Sequence, residues 1–219
     1  MVLSKVRVRL FMVASVAVLL GQGCTTLWHD HLSALEVSPM NNSMSLDSVT
    51  IKVYPVNRKI FGFFGPLLPV IPVWHSPSTS RFWIILSILA TNGEIWFNPG
   101  HVLLQIEQGG TYPAAGYTGP MSFSEWSKLY PVETFLDAKS FNASLNPFPV
   151  EKEEVVIGLM FDIKPLAPDQ RFSMTIDGFE RIGYPNVGVP MLSFKKQTRK
   201  HFDFVIFDPL SVHKEWIVD

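Results

Sequence analysis

Phe82-Trp83-Ile84-Ile85-Leu86-Ser87-Ile88-Leu89-Ala90 is a continuous apolar run of strand length, and Thr91-Asn92-Gly93-Glu94 separates it from a second apolar run, Ile95-Trp96-Phe97. An Asn-Gly pair between two β-prone runs signals a hairpin, because both central residues of a type I′ turn need positive φ. The spacing therefore predicts a hairpin over 82–97 at the centre of a sheet.

Working outward, Asn98-Pro99-Gly100 makes a turn, after which Val102, Leu104 and Ile106 alternate with Leu103, Gln105 and Glu107 until Gly109-Gly110. Before the hairpin, Val49, Ile51 and Val53 alternate with Thr50, Lys52 and Tyr54, which is the period of a half-buried strand. This reads as the first strand of the domain, closed by Pro55. Glu154 to Ile163 and Arg171 to Asp177 continue the pattern and are expected to pair across the turn at Pro165–Asp169. Val187 to Phe194 and Phe202 to Phe207 supply two more strands. Thr111 to Pro149 is less regular: Gly116, Gly119 and Pro120 argue for loop, while Ser122 with Glu125 three residues later has the spacing of a capping box.

Eight or so short strands, 17 prolines, 14 glycines and no βαβ alternation point to a mainly β fold. The expected architecture is an antiparallel β-sandwich, immunoglobulin-like, with a long irregular insertion; a small β-barrel is the alternative. The single cysteine, Cys24, excludes an internal disulfide.

Ile60 to Trp74, IFGFFGPLLPVIPVW, has no charge in fifteen residues and is broken by Gly62, Gly65, Pro66, Pro69 and Pro72. Those breakers forbid a regular spanning helix. Either the stretch is an apolar loop or edge segment over the open end of a sheet, or it is an exposed surface that meets a partner protein, a lipid or an apolar ligand. On the second reading the contact residues are Phe61, Phe63, Phe64, Leu67, Leu68 and Trp74.

At the N-terminus Lys5, Arg7 and Arg9 precede the uncharged apolar run Leu10 to Leu20, in the manner of an export signal. That run is shorter than the ~20 residues a spanning helix needs. Gly23 then precedes Cys24. This end resembles the lipobox of bacterial lipoproteins, whose cysteine is acylated and becomes the new N-terminus, although Gly21 and Gln22 depart from the usual residues. An ordinary secretory signal adjoining a cysteine fits the same residues. The resemblance implies a signal peptide over 1–23 and lipidation at Cys24. Thr25, where Asp would retain such a protein in the inner membrane, implies a place on the outer membrane facing the periplasm. Residues 24–47, lacking a sustained period, read as a lipidated tether, and 48–219 as the β domain.

Loss of Lys5, Arg7 and Arg9 with the signal would take the formal charge from −1 to −4, a dispersed acidic balance with no footprint for nucleic acid. Lys195, Lys196, Arg199 and Lys200 form the one basic cluster, read as a solvated turn between strands or as a contact for anionic head groups. No nucleophile elbow, phosphate loop or zinc-protease motif occurs. His75, His101, His201 and His213, with Asp203 or Asp208, are the raw material for an alternative reading as an envelope hydrolase or ligand carrier. His29-Asp30-His31 offers two imidazoles, an incomplete metal site. Trp74, Trp83, Trp96, Tyr112, Tyr117 and Trp126 either fill a core or form a ligand platform. The leading expectation is a non-enzymatic, cofactor-free envelope module that binds the membrane through its N-terminal lipid and a further envelope protein through its apolar stretch.

Overall fold

The structure, a computed structural model, describes residues 26–38, 42–46, 48–64, 71–76, 79–93, 95–128, 136, 141–150, 153–180 and 188–203. In chain order these form β1 (Thr26–Leu35), β2 (Ser43–Ser45), β3 (Val49–Pro55), β4 (Lys59–Phe64), β5 (Ile71–His75), β6 (Phe82–Ala90), β7 (Ile95–Phe97), β8 (Val102–Ile106) and β9 (Thr111–Ser122). There follow the helical turn α1 (Phe123–Trp126), β10 (Phe148–Val150), β11 (Val155–Phe161), β12 (Phe172–Ile176), β13 (Phe179–Glu180) and β14 (Leu192–Asp203). Eleven strands make one antiparallel sheet in the order β2-β3-β6-β11-β9-β8-β12-β14-β1-β4-β5, and β10-β7-β13 make a second, small sheet.

The large sheet curls over on itself, and β9 is its corner. Thr111–Pro113 pair with β8, whereas Ala114–Ser122 pair with β11, so one strand serves both layers. The ladder shifts between Val156 and Gly158 and again between Met160 and Phe161. Gly119 has φ +92°, and a Cβ there would stand 2.8 Å from the Val156 carbonyl oxygen. Such irregularities bend a strand and raise its twist, which lets a sheet turn a corner. This is how glycines that read as loop come to lie inside one of the longest strands.

The layered, sandwich-like antiparallel architecture expected from the strand spacing is present. Its core lies between the layers: Ile51 and Val53 of β3, Ile84, Leu86 and Ile88 of β6 and Leu159 of β11 face Leu104 of β8, Met174 of β12 and Phe194 of β14. The Phe82 ring meets the Phe172 ring edge-on at 5.6 Å, and Phe172 stacks on Phe194 at 4.7 Å, joining β6 to β12 and β14. The other face of β6 is covered too. Trp83 and Ile85 pack with Tyr54, Val56, Trp126, Leu136 and Val156 in a second apolar cluster beneath α1. This explains why Phe82–Ala90 shows no polar alternation. The capping box is present: Ser122 Oγ accepts from the Glu125 N–H at 3.3 Å and donates to Glu125 Oε2 at 3.1 Å.

Several pairings differ from expectation. β6 is flanked by β3 and β11, so both its edges are taken and β7 pairs with β10 and β13 instead. Gly93 has φ +82° but Asn92 does not have positive φ, so no type I′ hairpin forms and the turn links two sheets. β11 and β12 do not pair with each other; β12 lies between β8 and β14. β3 is not the first strand, because β1 occupies the segment read as tether and β2 follows it. The basic cluster lies within a single continuous strand, β14, rather than in a turn, since pairing with β1 over ten residues outweighs the low β-propensity of lysine.

Candidate interaction surface

The described residues of the uncharged stretch lie in β4 and β5, which pair antiparallel at the edge of the large sheet; residues 65–70 lie outside the described residues. Pro72 lies on β5, the edge strand, where a missing N–H costs no ladder bond on the outer side. β1 inserts between β4 and β14, so four strands, β14-β1-β4-β5, run side by side. Their register sets Thr26 opposite Asp203 and Phe64, and Phe64 opposite Ile71. In the next row Leu27 meets Phe202 and Phe63, and Phe63 meets Pro72. Trp28, His201, Gly62 and Val73 make the third row. Phe61, whose side chain is 39% exposed, falls in the fourth row with His29, Lys200 and Trp74.

A polar clamp holds β1 in place. Arg58, in the connection between β3 and β4, donates through Nη2 to Asp30 Oδ2, and both side chains are buried. Beside it Asn57 Nδ2 donates to Ser33 Oγ at 2.8 Å, and the Ser33 N–H donates to Asn57 Oδ1 at 3.3 Å. Further along, the Leu35 N–H donates to Asn42 Oδ1 at 3.0 Å. Buried polar groups are tolerated only when paired, so each bond ties β1 to a neighbouring loop.

Strand alternation separates the members of His29-Asp30-His31: the two histidines share one face and Asp30 the other, where it meets Arg58. His31 Nδ1 lies 3.1 Å from Thr198 Oγ1, and burial, then Lys196 and His29, hold its imidazole below the usual pKa. Among the described residues no three His, Cys, Asp or Glu side chains converge as metal ligands. His101 is exposed in the short helical turn at 99–101, its ring 3.5 Å from Asn98 Nδ2. His75 and His201 occupy positions on β5 and β14, and Asp203 ends β14. Cys24, Leu67, Leu68, Asp208 and His213 lie outside the described residues.

The aromatic residues are mostly core. Trp83 and Trp126 are buried in the second cluster, Tyr117 in the main core, and Tyr112 packs against it. Trp74 falls on β5, and Trp96 lies in the small sheet beside Phe97, whose ring meets those of Phe148 and Phe179 at 5.7 and 4.9 Å. A separate open groove of about 370 Å³ runs between the end of β1 and strands β8, β12 and β14, walled by Glu36, Glu107, Arg171 and Met191 over Phe172 and Phe194. Its charged groups reach outward; Arg171 and Glu107 stand 4.0 Å apart.

The sequence reading singled out the β4–β5 stretch but missed β1 and Arg58. The available signal was the faint alternation of Leu27, His29, His31, Ser33 and Leu35 against Trp28, Asp30, Leu32 and Ala34, obscured by polar residues on both sides. No protein-family model, curated protein or solved structure matches this chain.

Proposed function

We propose that the chain is a lipid-anchored, non-catalytic binding module of a bacterial cell envelope, held through Cys24 at the periplasmic face of the outer membrane. The carrying observation is β1, which begins two residues after Cys24 and threads between β4 and β14. An acyl group on Cys24 would be attached to the sheet itself and not to a long flexible leader. Two extended residues span at most about 7 Å, so the anchor would hold the domain against the surface and raise its effective concentration toward envelope partners. The lipobox-like residues supply the attachment chemistry, and the several acyl chains of that family supply the affinity that one chain lacks.

Intact mass measurement of the membrane-extracted protein tests this reading. A chain beginning at Cys24 with acyl mass, absent from Cys24→Ser, is the expected result; an unmodified chain that fractionates with soluble protein refutes it.

A further inference from the structure

We infer that the end of the large sheet formed by β14, β1, β4 and β5 lies in the bilayer interface and is a lipid-contacting surface. This rests on the anchoring reading above, and it assigns the apolar stretch to lipid and not to a partner protein. The first argument is where the chain leaves the structure. Thr26 opens β1 in the outermost row, opposite Phe64, and only Thr25 separates it from Cys24. Strands are spaced about 4.8 Å apart, so Phe64 and Ile71 stand one and two strands, about 5 and 10 Å, from the strand that ends at the anchor. An acyl chain entering the membrane at Cys24 brings this end of the sheet to the same surface. An uncleaved Leu10–Leu20 segment would do so at the same end.

The second argument is the order of chemistry along the rows. The outer three rows hold Thr26, Phe64 and Ile71; Leu27, Phe202, Phe63 and Pro72; Trp28, His201, Gly62 and Val73; Asp203 is their one carboxylate. At about 3.4 Å per row they span roughly 10 Å, comparable to the ~5–10 Å to which interfacial apolar faces bury. The cations begin behind them: Lys200 in the fourth row, Arg199 in the fifth, Lys59 in the sixth, then Lys196 and Lys195. Lys59, Lys195, Lys196 and Lys200 are exposed, while the acidic residue among these inner rows, Asp30, is buried with Arg58. Apolar residues with a basic collar behind them match acyl boundary and anionic head groups in depth.

The test uses the full lipidated protein in vesicles of phosphatidylethanolamine and phosphatidylglycerol. With Cys24 acylated, an introduced cysteine is the single free thiol, so Phe63→Cys and Thr26→Cys each carry one fluorescent label. Gln105→Cys, on β8 and about ten rows or ~34 Å further along the sheet, is the control. The expected result is that labels at 63 and 26 are quenched by nitroxides on the lipid chains and lose their quenching by aqueous iodide, with the reverse at 105. Iodide quenching at 63 and 26 equal to that at 105 overturns the proposal. Shielding from both quenchers also overturns it, because protein, either the 204–219 segment or a partner, would then cover the end. Having two labelled sites guards against misfolding at Phe63. Absence of acyl mass removes the anchoring reading alone; the same labels on the unacylated chain carrying Cys24→Ser, which again leaves one thiol, then decide the surface when mixed with the same vesicles, with no lipid quenching overturning it.

Discussion

Replacing Arg58 by Met removes the guanidinium from a carboxylate that is 1% exposed and leaves Asp30 charged in the interior beside β1. Breaking a buried pair from one side costs about 3–5 kcal/mol, because the desolvation of the remaining ion is no longer offset. Arg199 stands opposite Asp30 on β14 and keeps one cation at hand, which sets the expected loss near the lower end, about 3 kcal/mol. Removing both charges, as Asp30→Leu with Arg58→Met, is expected to bring stability back to within about 1 kcal/mol of the parent, since apolar replacement of a buried pair is often neutral. The assay is urea unfolding followed by linear extrapolation. With a slope of about 2 kcal/mol/M, the single variant lowers the midpoint by about 1.5 M and the double by less than about 0.5 M. A single-variant loss under about 1 kcal/mol, or a double as unstable as the single, would refute the view that this pair clamps β1 to the sheet.

Gly178→Ala would place a Cβ 2.2 Å from the Asn98 carbonyl oxygen, in a turn where the Asn98 N–H donates to Gly178 O at 2.7 Å. The lost bond and displaced backbone are expected to cost at least about 2 kcal/mol, a fall of about 4–8 °C in Tm by circular dichroism. Tyr54 is buried, and this together with Glu154 pushes its phenol up to about 12. Its neutral form is favoured in the fold, so its contribution, about 2 kcal/mol, is complete below pH 10 and lost as pH rises toward 12. Unfolding midpoints of Tyr54→Phe should fall less steeply over that window; parallel curves would contradict this assignment. Ser122→Ala removes the cap of α1 and is expected to cost about 1 kcal/mol and speed amide exchange at Glu125, whose N–H the hydroxyl now accepts.

Local pattern was sufficient wherever one face of a strand meets the core and the other meets water. Val49, Ile51 and Val53 in β3, Val102 and Leu104 in β8, and Phe172, Met174 and Ile176 in β12 are all buried, as their alternation with polar residues requires. The cap of α1 was legible from Ser122 and Glu125 because both ends of that bond lie within one turn. The apolar character of Ile60–Trp74 was likewise written in the order of residues. Partner choice was not. Whether Phe82–Ala90 pairs with Ile95–Phe97 or with β3 and β11 depends on which edges are free once the sheet has closed, and an Asn-Gly dipeptide carries no information about that. β1 escaped notice because its burial is partly polar: Asp30 and Ser33 are stabilised by Arg58 and Asn57, which come from 28 and 24 residues away. The basic run of β14 looks like a turn until β1 lies alongside it. Composition and period record which side chains avoid water within a short window. Only the tertiary structure decides which distant groups replace that water, and hence that Thr26 opens β1 at the same end of the sheet as Phe63 and Phe64.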